Sequence, residues 1–318
     1  MESNNSKINK GEKKPKVLVI LGTTASGKTA LGVKLALKFN GEIISADSRQ
    51  VYRGLDIGTG KDLKEYRVGR KKIAYHLIDV ADPRQRFDLA KYQKLCQRAI
   101  GDILKRGKLP IIVGGSGLYL QAVIDNYELI RTAKPDLKKR AINEQKSLAE
   151  LFNLLFQLKP EFASRLNNSD RNNKRRLVRY LEIIESGDLN KVKKGEVFYD
   201  FFIQGLSWPD NILRERIIYR LLLRLEKEGM VAEVKRLNDD GVSFEQLKSF
   251  GLEYKFISQH LLGELNYRDM VEKLGTAIYR FAKRQKTWFK RWEKQGTNIN
   301  WNNKEELVIN NIAKWLKK

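Results

Sequence analysis

Residues 17–29 read VLVILGTTASGKT, a short apolar run followed at once by a loop with two glycines, a lysine and a threonine. The segment Gly22–Thr29 matches the phosphate-binding pattern G-x-x-x-x-G-K-[ST] at all four fixed positions. Val17–Leu21 is continuous and rich in β-branched residues, as in a strand that is buried on both faces. From Thr29 to Phe39 an apolar residue recurs every four positions, which indicates a helix. The sequence therefore predicts a strand, a phosphate-binding loop and a helix, in that order.

Strands and helices continue to alternate after this unit. Glu42–Ser45 has the pattern of a second strand, Phe87–Arg106 that of a helix, and Leu109–Val113 that of another buried strand. The strand signals end near Asn126. This alternation predicts an α/β fold with a parallel sheet flanked by helices.

The pattern divides the chain into three parts. Residues 1–16 carry five lysines among polar residues, and we expect them to form a disordered basic leader. Residues 17–125 and 196–318 are expected to form the α/β core domain with its C-terminal helices. Residues 126–195 are polar and helical in pattern, so we interpret them as an inserted helical subdomain.

Two long amphipathic helices are predicted in the C-terminal part of the core. They cover Ile212–Leu237 and Met270–Trp292. The second carries a regular stripe of aromatic and aliphatic residues. That regularity favours packing in the core over stacking on nucleic-acid bases.

Composition restricts the class of protein and the kind of partner. The 318 residues include 62 basic and 38 acidic ones, which gives a net charge of +24. A surplus of this size points to a polyanionic partner, with nucleic acid as the first candidate, unless it reflects only solvated surface helices. Charged residues interrupt every apolar run well before the roughly 18 residues that a membrane span needs. Because Cys96 is the only cysteine, no internal disulfide can form, and we expect a cytoplasmic protein.

The phosphate-binding loop predicts a diphosphate ligand but does not specify the reaction. Its backbone amides, the start of the following helix and the ammonium of Lys28 suit phosphate oxygens, and the Thr29 hydroxyl can bind Mg²⁺. A kinase or ATPase would also need an acidic magnesium ligand at the end of an apolar strand. Leu109–Val113 is followed by Gly-Gly-Ser-Gly without a carboxylate, and Asp79 is the alternative.

A second segment places a carboxylate at the same edge of the sheet. The predicted strand Glu42–Ser45 is followed by Ala46-Asp47-Ser48-Arg49-Gln50. Asp47 is a candidate general base, since a carboxylate beside a bound diphosphate can accept a proton from an attacking nucleophile. The alternative is an aspartate that only caps a helix or closes a turn.

Together these segments resemble the tRNA dimethylallyltransferase family, also called the tRNA isopentenyltransferases. The resemblance runs from about Val17 to Trp292 and is carried by the phosphate-binding loop and by residues 44–61, 76–79, 82–83, 113–120, 173–182 and 282–289. It implies a P-loop NTPase-like fold. It also implies transfer of the dimethylallyl group of dimethylallyl diphosphate to the exocyclic amine of the adenosine 3′-adjacent to the anticodon, with release of pyrophosphate. The implied partners are the anticodon stem-loop of tRNA and dimethylallyl diphosphate, and the implied ion is Mg²⁺.

The resemblance also implies a role for each matching residue. The catalytic residues would be Asp47 as base together with Thr29 and Arg220, and Thr29 would be the metal ligand. The diphosphate would be bound by Gly22, Thr23, Thr24, Ala25, Ser26, Gly27, Lys28, Thr29 and Arg220. Contacts with tRNA are expected from Asp47, Ser48, Arg49, Gln50 and Ser116, and in the insertion from Arg175, Arg176 and Arg179, whose helical spacing suits phosphates.

Two positions depart from the family pattern. Ser116 stands where many members have threonine, and it retains the hydroxyl. Glu253 stands where many members have a glycine before the tyrosine, in a segment expected near the anticodon loop, so the RNA contacts of that segment stay open.

Three other functions remain possible on the sequence. An adenylate isopentenyltransferase would use the same donor but modify a free adenine nucleotide. A P-loop kinase or NTPase would hydrolyse ATP without a prenyl donor, and an RNA-binding module would carry a vestigial site. The basic insertion and the charge of +24 favour tRNA, and we expect a monomer.

Overall fold

The computed structural model describes residues 13–129, 136–186 and 193–318. The described strands, in chain order, are β1 (Lys16–Gly22), β2 (Gly41–Ala46), β3 (Arg67–Val68), β4 (Lys71–Lys72), β5 (Tyr75–His76), β6 (Leu109–Gly114), β7 (Tyr127–Glu128), β8 (Lys193–Lys194), β9 (Asp200–Leu206) and β10 (Asn300–Trp301). The described α-helices are α1 (Lys28–Lys38), α2 (Leu89–Lys105), α3 (Gly117–Ile124), α4 (Leu137–Gln145), α5 (Leu148–Leu158), α6 (Pro160–Ser164), α7 (Asn168–Arg171), α8 (Lys174–Glu185), α9 (Asp210–Glu226), α10 (Met230–Asp239), α11 (Phe244–Ser249), α12 (Leu252–Leu261), α13 (Tyr267–Lys294) and α14 (Glu305–Lys317). A 3₁₀ helix covers Leu63–Tyr66.

A six-stranded parallel sheet forms the centre of the larger unit. Its strand order is β10-β9-β1-β6-β2-β5, and each neighbouring pair runs parallel. The central strand β1 pairs with β6 and β9, with Leu18 opposite Ile111 and Phe202. The predicted parallel α/β fold is confirmed, and the carboxyl ends of β1, β2 and β6 meet at one edge.

The alternation of side chains along β1 explains why its sequence is apolar throughout. Val17, Val19 and Leu21 pack on one side against α2, α3 and α13. Leu18 and Ile20 pack on the other side against α1 and α14. Because both faces are covered by helices, neither set of side chains needs to be polar. Of the aromatic residues on the predicted stripe of α13, Trp292 is buried in the first of these layers, whereas Phe281 and Trp288 are half-buried.

The interpretation that strands end near Asn126 is wrong. The structure adds β9 beside the central strand, β10 at the edge of the sheet, and the short antiparallel pair β7 and β8. The strand β9 has a weak signal because it contains Gln204, whose buried amide donates to the carbonyl oxygens of Gly205 and Asn302 at 3.0 and 2.9 Å. These two bonds hold the amide nitrogen of a polar residue in a core position, whereas its Oε1 has no hydrogen-bond partner among the described residues.

The single helix predicted over Ile212–Leu237 is also wrong. The structure forms α9 and α10, which end and begin at Glu226 and Met230. Between them Gly229 adopts φ +81°, a left-handed conformation that glycine accepts without steric cost. This turn separates the two helices.

The described chain forms two compact units. One comprises residues up to Asn126 and from Glu196 onward, and the other comprises Tyr127–Gly195. The second unit has its own small core, in which Leu151 and Leu155 of α5 pack with Leu177 and Leu181 of α8. Most of the proposed basic leader falls on residues 1–12, which lie outside the described residues. The last residue assigned to the leader, Lys16, begins β1.

Candidate active site

The loop between β1 and α1 has the backbone of a phosphate-binding loop. Gly27 precedes α1 with φ +91°, and Ala25 also has a positive φ of 59°. A Cβ atom at Gly22 would lie 2.6 Å from the Ser26 hydroxyl oxygen and 2.9 Å from the Leu206 carbonyl oxygen. Close packing therefore requires a glycine at position 22, and the left-handed backbone conformation favours one at position 27.

Side chains from distant parts of the chain hold this loop in place. Gln285 of α13 accepts from the Thr24 amide at 2.8 Å and donates to the Gly115 carbonyl oxygen at 2.9 Å. Arg216 of α9 donates to the Ala25 carbonyl oxygen at 2.7 Å, and the Trp208 indole donates to the Ser26 carbonyl oxygen at 3.0 Å. Sequence reasoning missed Gln285 in this role, although it belongs to one of the quoted motifs.

Lys28 lies in a small polar pocket at the carboxyl edge of the sheet. Its ammonium donates to the Thr23 carbonyl oxygen at 3.2 Å. Removal from water lowers the pKa of Lys28 to about 8, an effect opposed by Asp47 and reinforced by Arg220. The same pocket is lined by Thr29, Asp47, Arg49, Gln50 and Arg220. The structure thus brings together residues predicted from three separate segments.

Asp47 follows β2 and closes a turn with one of its two carboxylate oxygens. Its Oδ1 accepts from the Arg49 amide at 2.9 Å and from the Gln50 amide at 3.4 Å. Its Oδ2 has no hydrogen-bond partner among the described residues. The carboxylate therefore combines a turn role with one oxygen available in the pocket.

Neighbouring polar side chains are used to fix the Asp47 turn. The Ser116 hydroxyl oxygen accepts from the Ser48 amide at 3.1 Å. The Gln50 side chain accepts from the Ser45 hydroxyl at 2.9 Å and donates to the Gly60 carbonyl oxygen at 3.0 Å. The protein itself uses these polar groups for its own hydrogen bonds. The RNA contacts expected from these residues stay predictions.

Glu253 forms a buried ion pair with Arg49. Their closest atoms, Nη1 and Oε2, are 2.5 Å apart, and Glu253 is only 5% exposed. Burial alone would lower the pKa of Arg49, but Glu253 and Asp47 raise it above its usual value. The glutamate that departs from the family pattern therefore neutralises the arginine next to the candidate base.

Arg220 reaches the pocket from α9 and is paired with Asp62. Arg220 Nη2 lies 2.7 Å from Asp62 Oδ2, and Arg224 Nη2, one helical turn further on, lies 3.5 Å from the same oxygen. A Cβ atom at Gly60 would overlap the Arg224 guanidinium. The Gly60–Asp62 segment thus packs directly on the two arginines.

A buried carboxylate that sequence reasoning missed binds the residues just before this segment. Glu233 accepts from the amides of Asp56, Ile57 and Gly58 and from the Tyr254 hydroxyl, at 2.7–3.1 Å. Because three backbone amides and one phenol hydroxyl donate to the Glu233 carboxylate, these bonds hold residues 56–58 in place.

Asp79, the alternative magnesium ligand, is engaged elsewhere. It forms an ion pair with the buried ammonium of Lys61, which also contacts Asp56 and the Tyr52 carbonyl oxygen. Asp79 does not line the pocket that contains Lys28 and Thr29.

The predicted basic residues of the insertion lie on α8, in the second unit. Arg175 and Arg176 are exposed, and Arg179 is half-buried. Arg176 pairs with Asp170 at 2.6 Å, and Arg179 pairs with Glu182 at 3.0 Å. Leu177, on another face of α8, packs into the core of that unit.

No group of three or more histidine, cysteine, aspartate or glutamate side chains within residues 13–129, 136–186 and 193–318 could hold a metal ion. Across the same residues no helix is both long and apolar enough to cross a membrane.

Comparison with known proteins identifies relatives over most of the chain. The family model described as IPP transferase matches residues 50–292. The tRNA dimethylallyltransferase 1 of Geotalea daltonii is 47% identical over 90% of each chain, and the tRNA dimethylallyltransferase 2 of Syntrophotalea carbinolica is 47% identical over 90% of this chain and 93% of its own.

Solved structures agree with these relatives. The full-length tRNA isopentenylpyrophosphate transferase of Bacillus halodurans superimposes with a TM-score of 0.69 at 33% identity, over 96% of this chain and 97% of that one. A eukaryotic dimethylallyltransferase acting on tRNA gives a TM-score of 0.70 at 30% identity, over 86% of this chain and 69% of that one. The resemblance drawn from the motifs is confirmed. The chain belongs to the IPP transferase family.

Proposed function

We propose that this protein transfers the dimethylallyl group from dimethylallyl diphosphate to the exocyclic amine of the adenosine 3′-adjacent to the anticodon in tRNA, releasing pyrophosphate. The observation that carries the proposal is a single pocket lined by Lys28 and Thr29 of the phosphate-binding loop, by Arg220 and by Asp47. The names of the relatives, which are tRNA dimethylallyltransferases, support it.

The phosphate-binding loop and Arg220 would stabilise the leaving group. As the carbon–oxygen bond of the donor breaks, its electron pair passes to the departing pyrophosphate. Lys28 and Arg220, which both line the pocket, would neutralise that charge. Residues Gly22, Thr23, Thr24, Ala25, Ser26, Gly27, Lys28, Thr29 and Arg220 form this diphosphate site.

Asp47 would act as the general base. The amine nitrogen forms the new bond to carbon and loses a proton, which the carboxylate accepts. An adenine amine is conjugated to its ring and is a poor nucleophile, so a base in this position is worth about 10²–10⁴ in rate. The Oδ2 atom, which has no partner among the described residues, is suited to this task because the turn uses Oδ1.

The donor set at the pocket fits Mg²⁺. The Thr29 hydroxyl supplies an oxygen atom, the ligand type this ion prefers. Because protein ligands are few, diphosphate oxygens and water would complete the shell, as is usual for Mg²⁺ at phosphate sites. Thr29 would hold the ion, which would add positive charge beside the leaving group.

Binding of tRNA would use two regions of the chain. Residues 126–195 would be the tRNA-binding subdomain, with Arg175, Arg176 and Arg179 of α8 on phosphates. Arg49, beside Asp47, would contact the target base, which must leave its stack to react. We further propose that the protein acts as a monomer in the cytoplasm.

The proposal is tested with labelled dimethylallyl diphosphate and Mg²⁺, offered together with an anticodon stem-loop and AMP. Label in the stem-loop alone supports tRNA prenylation. Label in AMP would instead favour an adenylate isopentenyltransferase. Label in neither, with ATP hydrolysis in the absence of a prenyl donor, would favour a P-loop kinase or NTPase.

A further inference from the structure

A carboxylate of the protein forms an ion pair with the arginine that the diphosphate would need. Asp62 Oδ2 accepts from Arg220 at 2.7 Å and lies 3.5 Å from Arg224. Arg220 lines the pocket with Lys28, and it also lines an outer groove of about 780 Å³ that Asp62, Leu223 and Lys227 share. Asp62 therefore sits on the arginine pair where the groove meets the diphosphate pocket.

Three basic side chains meet at this point in the free protein. Burial lowers the pKa of Arg224, and the neighbouring Arg220 lowers it further. Both arginines also lower the pKa of Lys28. Several carboxylates act on these three cations, namely Asp62, Asp47, Glu65, Glu228 and Glu253. Among the described residues, Asp62 is the one that forms an ion pair with Arg220. A bound diphosphate would bring more negative charge than this single carboxylate. A diphosphate would thus neutralise the arginine pair better than Asp62 does.

The backbone of the Asp62 segment is shaped to keep this contact. Asp62 has φ 45° and ψ 46°, a left-handed conformation that aspartate, like asparagine, adopts more readily than other residues with a side chain. Gly60 beside it has φ +65° and leaves room for the Arg224 guanidinium, which a side chain would displace.

We propose that the Asp62 carboxylate takes the place of the diphosphate in the free protein. It pairs with Arg220 there and is displaced when the prenyl donor binds. This inference rests on the proposed function, because it assigns a competitor at the same diphosphate site. The exchange breaks the ion pair between Arg220 and Asp62 and forms one between Arg220 and a phosphate oxygen. After transfer, re-formation of the pair with Asp62 helps to expel pyrophosphate.

The test is binding of inorganic pyrophosphate with Mg²⁺ to the full-length protein, measured by calorimetry. Asp62→Asn removes the competing charge and keeps a side chain that tolerates the left-handed conformation, so we expect affinity to rise roughly five- to tenfold. Asp62→Gly, which suits the same backbone, should show the same gain. Inhibition of prenyl transfer by added pyrophosphate should strengthen by the same factor in both variants.

Glu65→Gln is the matched control. Glu65 belongs to the same 3₁₀ helix and lines the same groove, but among the described residues its side chain forms no ion pair with an arginine. The control should therefore leave pyrophosphate affinity within about twofold of wild type.

The outcomes separate this inference from the proposed function. Unchanged or weaker pyrophosphate binding in the Asp62 variants, with binding intact in the wild type, would overturn the role of Asp62 alone. An equal gain in Glu65→Gln would also overturn it, because a general charge effect would then suffice. Pyrophosphate binding to none of the proteins would contradict the diphosphate site itself.

Discussion

Asp47 serves both the turn that it closes and the proposed chemistry, and two substitutions separate these roles. Asp47→Ala removes the base and the Oδ1 acceptor for the Arg49 amide, whereas Asp47→Asn keeps an oxygen in the same place. We expect both to lower kcat by about 10²–10⁴, with donor affinity nearly unchanged, because the base acts only as the amine attacks. Single-turnover prenyl transfer measures this. Near-normal turnover of the Asn variant would reduce Asp47 to a turn residue.

Lys28 gives the donor site a defined pH dependence. Burial lowers its pKa to about 8 in the free protein, and a bound diphosphate favours the protonated form. Raising the pH through 8 deprotonates Lys28, so affinity for dimethylallyl diphosphate should fall, approaching about tenfold per pH unit above that value. Calorimetry from pH 7 to pH 9.5 measures the affinity.

Lys28→Arg is the control for that pH dependence, since arginine stays protonated throughout this range. Titration of the ligand itself affects both proteins equally, so only the difference between them reports Lys28. If the two affinities followed the same curve, Lys28 would not be the titrating group.

At the residue scale, the sequence predicts what local motifs encode. Lys28, Thr29 and Asp47 follow parallel strands of one sheet, so their convergence could be inferred from strand order alone. Gln285 could not be assigned to the loop, since its partner Thr24 is 261 residues away. Glu253 was recognised as a departure, but its pairing with Arg49 became visible only when α12 was placed beside the Asp47 turn.

Among the elements, the start of β2 carries an acid-sensitive contact. Glu42 is buried and accepts from Arg106 at 2.7 Å, Lys108 at 2.9 Å and His76 at 2.7 Å. Burial alone would raise the pKa of Glu42, but these three partners lower it to about 2. The pair Glu42 and Arg106 thus links the sheet to the end of α2.

Because the pKa of Glu42 is depressed on folding, the stability it contributes is present above its unfolded value of 4.5 and is lost as the pH falls toward about 2. The shift corresponds to at most about 3 kcal/mol, which solvent screening of the half-exposed partners reduces to about 1–2 kcal/mol. Glu42→Gln should be less stable at pH 7 and should lose less stability on acidification. Thermal unfolding between pH 7 and pH 2.5 measures this, and parallel curves for the two proteins would contradict it.

Helix α8 carries the charges that we assign to tRNA. Arg176→Ala should weaken binding of an anticodon stem-loop and reduce the slope of log affinity against log salt by about 1, as loss of one phosphate contact does. Arg98→Ala is the control, because it removes an exposed arginine of α2. Like Arg176, Arg98 is paired with an acidic residue, in its case Asp102 on the same helix. Filter binding over a salt series measures both. Equal slopes for Arg176→Ala and wild type would remove α8 from the interface.

Element prediction succeeded where the period was strong and failed where other parts of the chain decide the structure. The apolar run of β1 and the regular stripe of α13 were identified because each pattern repeats along the element. The strand β9 was missed because Gln204 interrupts the pattern, and its hydrogen bonds depend on Asn302, 98 residues further on. The break before α10 depends on Gly229. It was missed because an isolated glycine is compatible with a continuous helical pattern in the sequence.

For the whole molecule, charge and fold together predict a preference for tRNA over a free nucleotide. A net charge of +24 attracts a polyanion over a distance and makes binding depend steeply on salt. AMP offers too few phosphates to use that charge. The carboxyl edge of the sheet, where β1 and β2 end, then presents the proposed diphosphate site next to Asp47.

The measurement that tests this account most directly is location of the transferred group by mass spectrometry. An anticodon stem-loop is reacted with dimethylallyl diphosphate and Mg²⁺, digested to nucleosides and short fragments, and compared with AMP treated in the same way. The account predicts one dimethylallyl group, on the exocyclic amine of the adenosine 3′-adjacent to the anticodon, and unmodified AMP. A prenyl group on AMP, on another nucleotide of the stem-loop, or on neither substrate would contradict it.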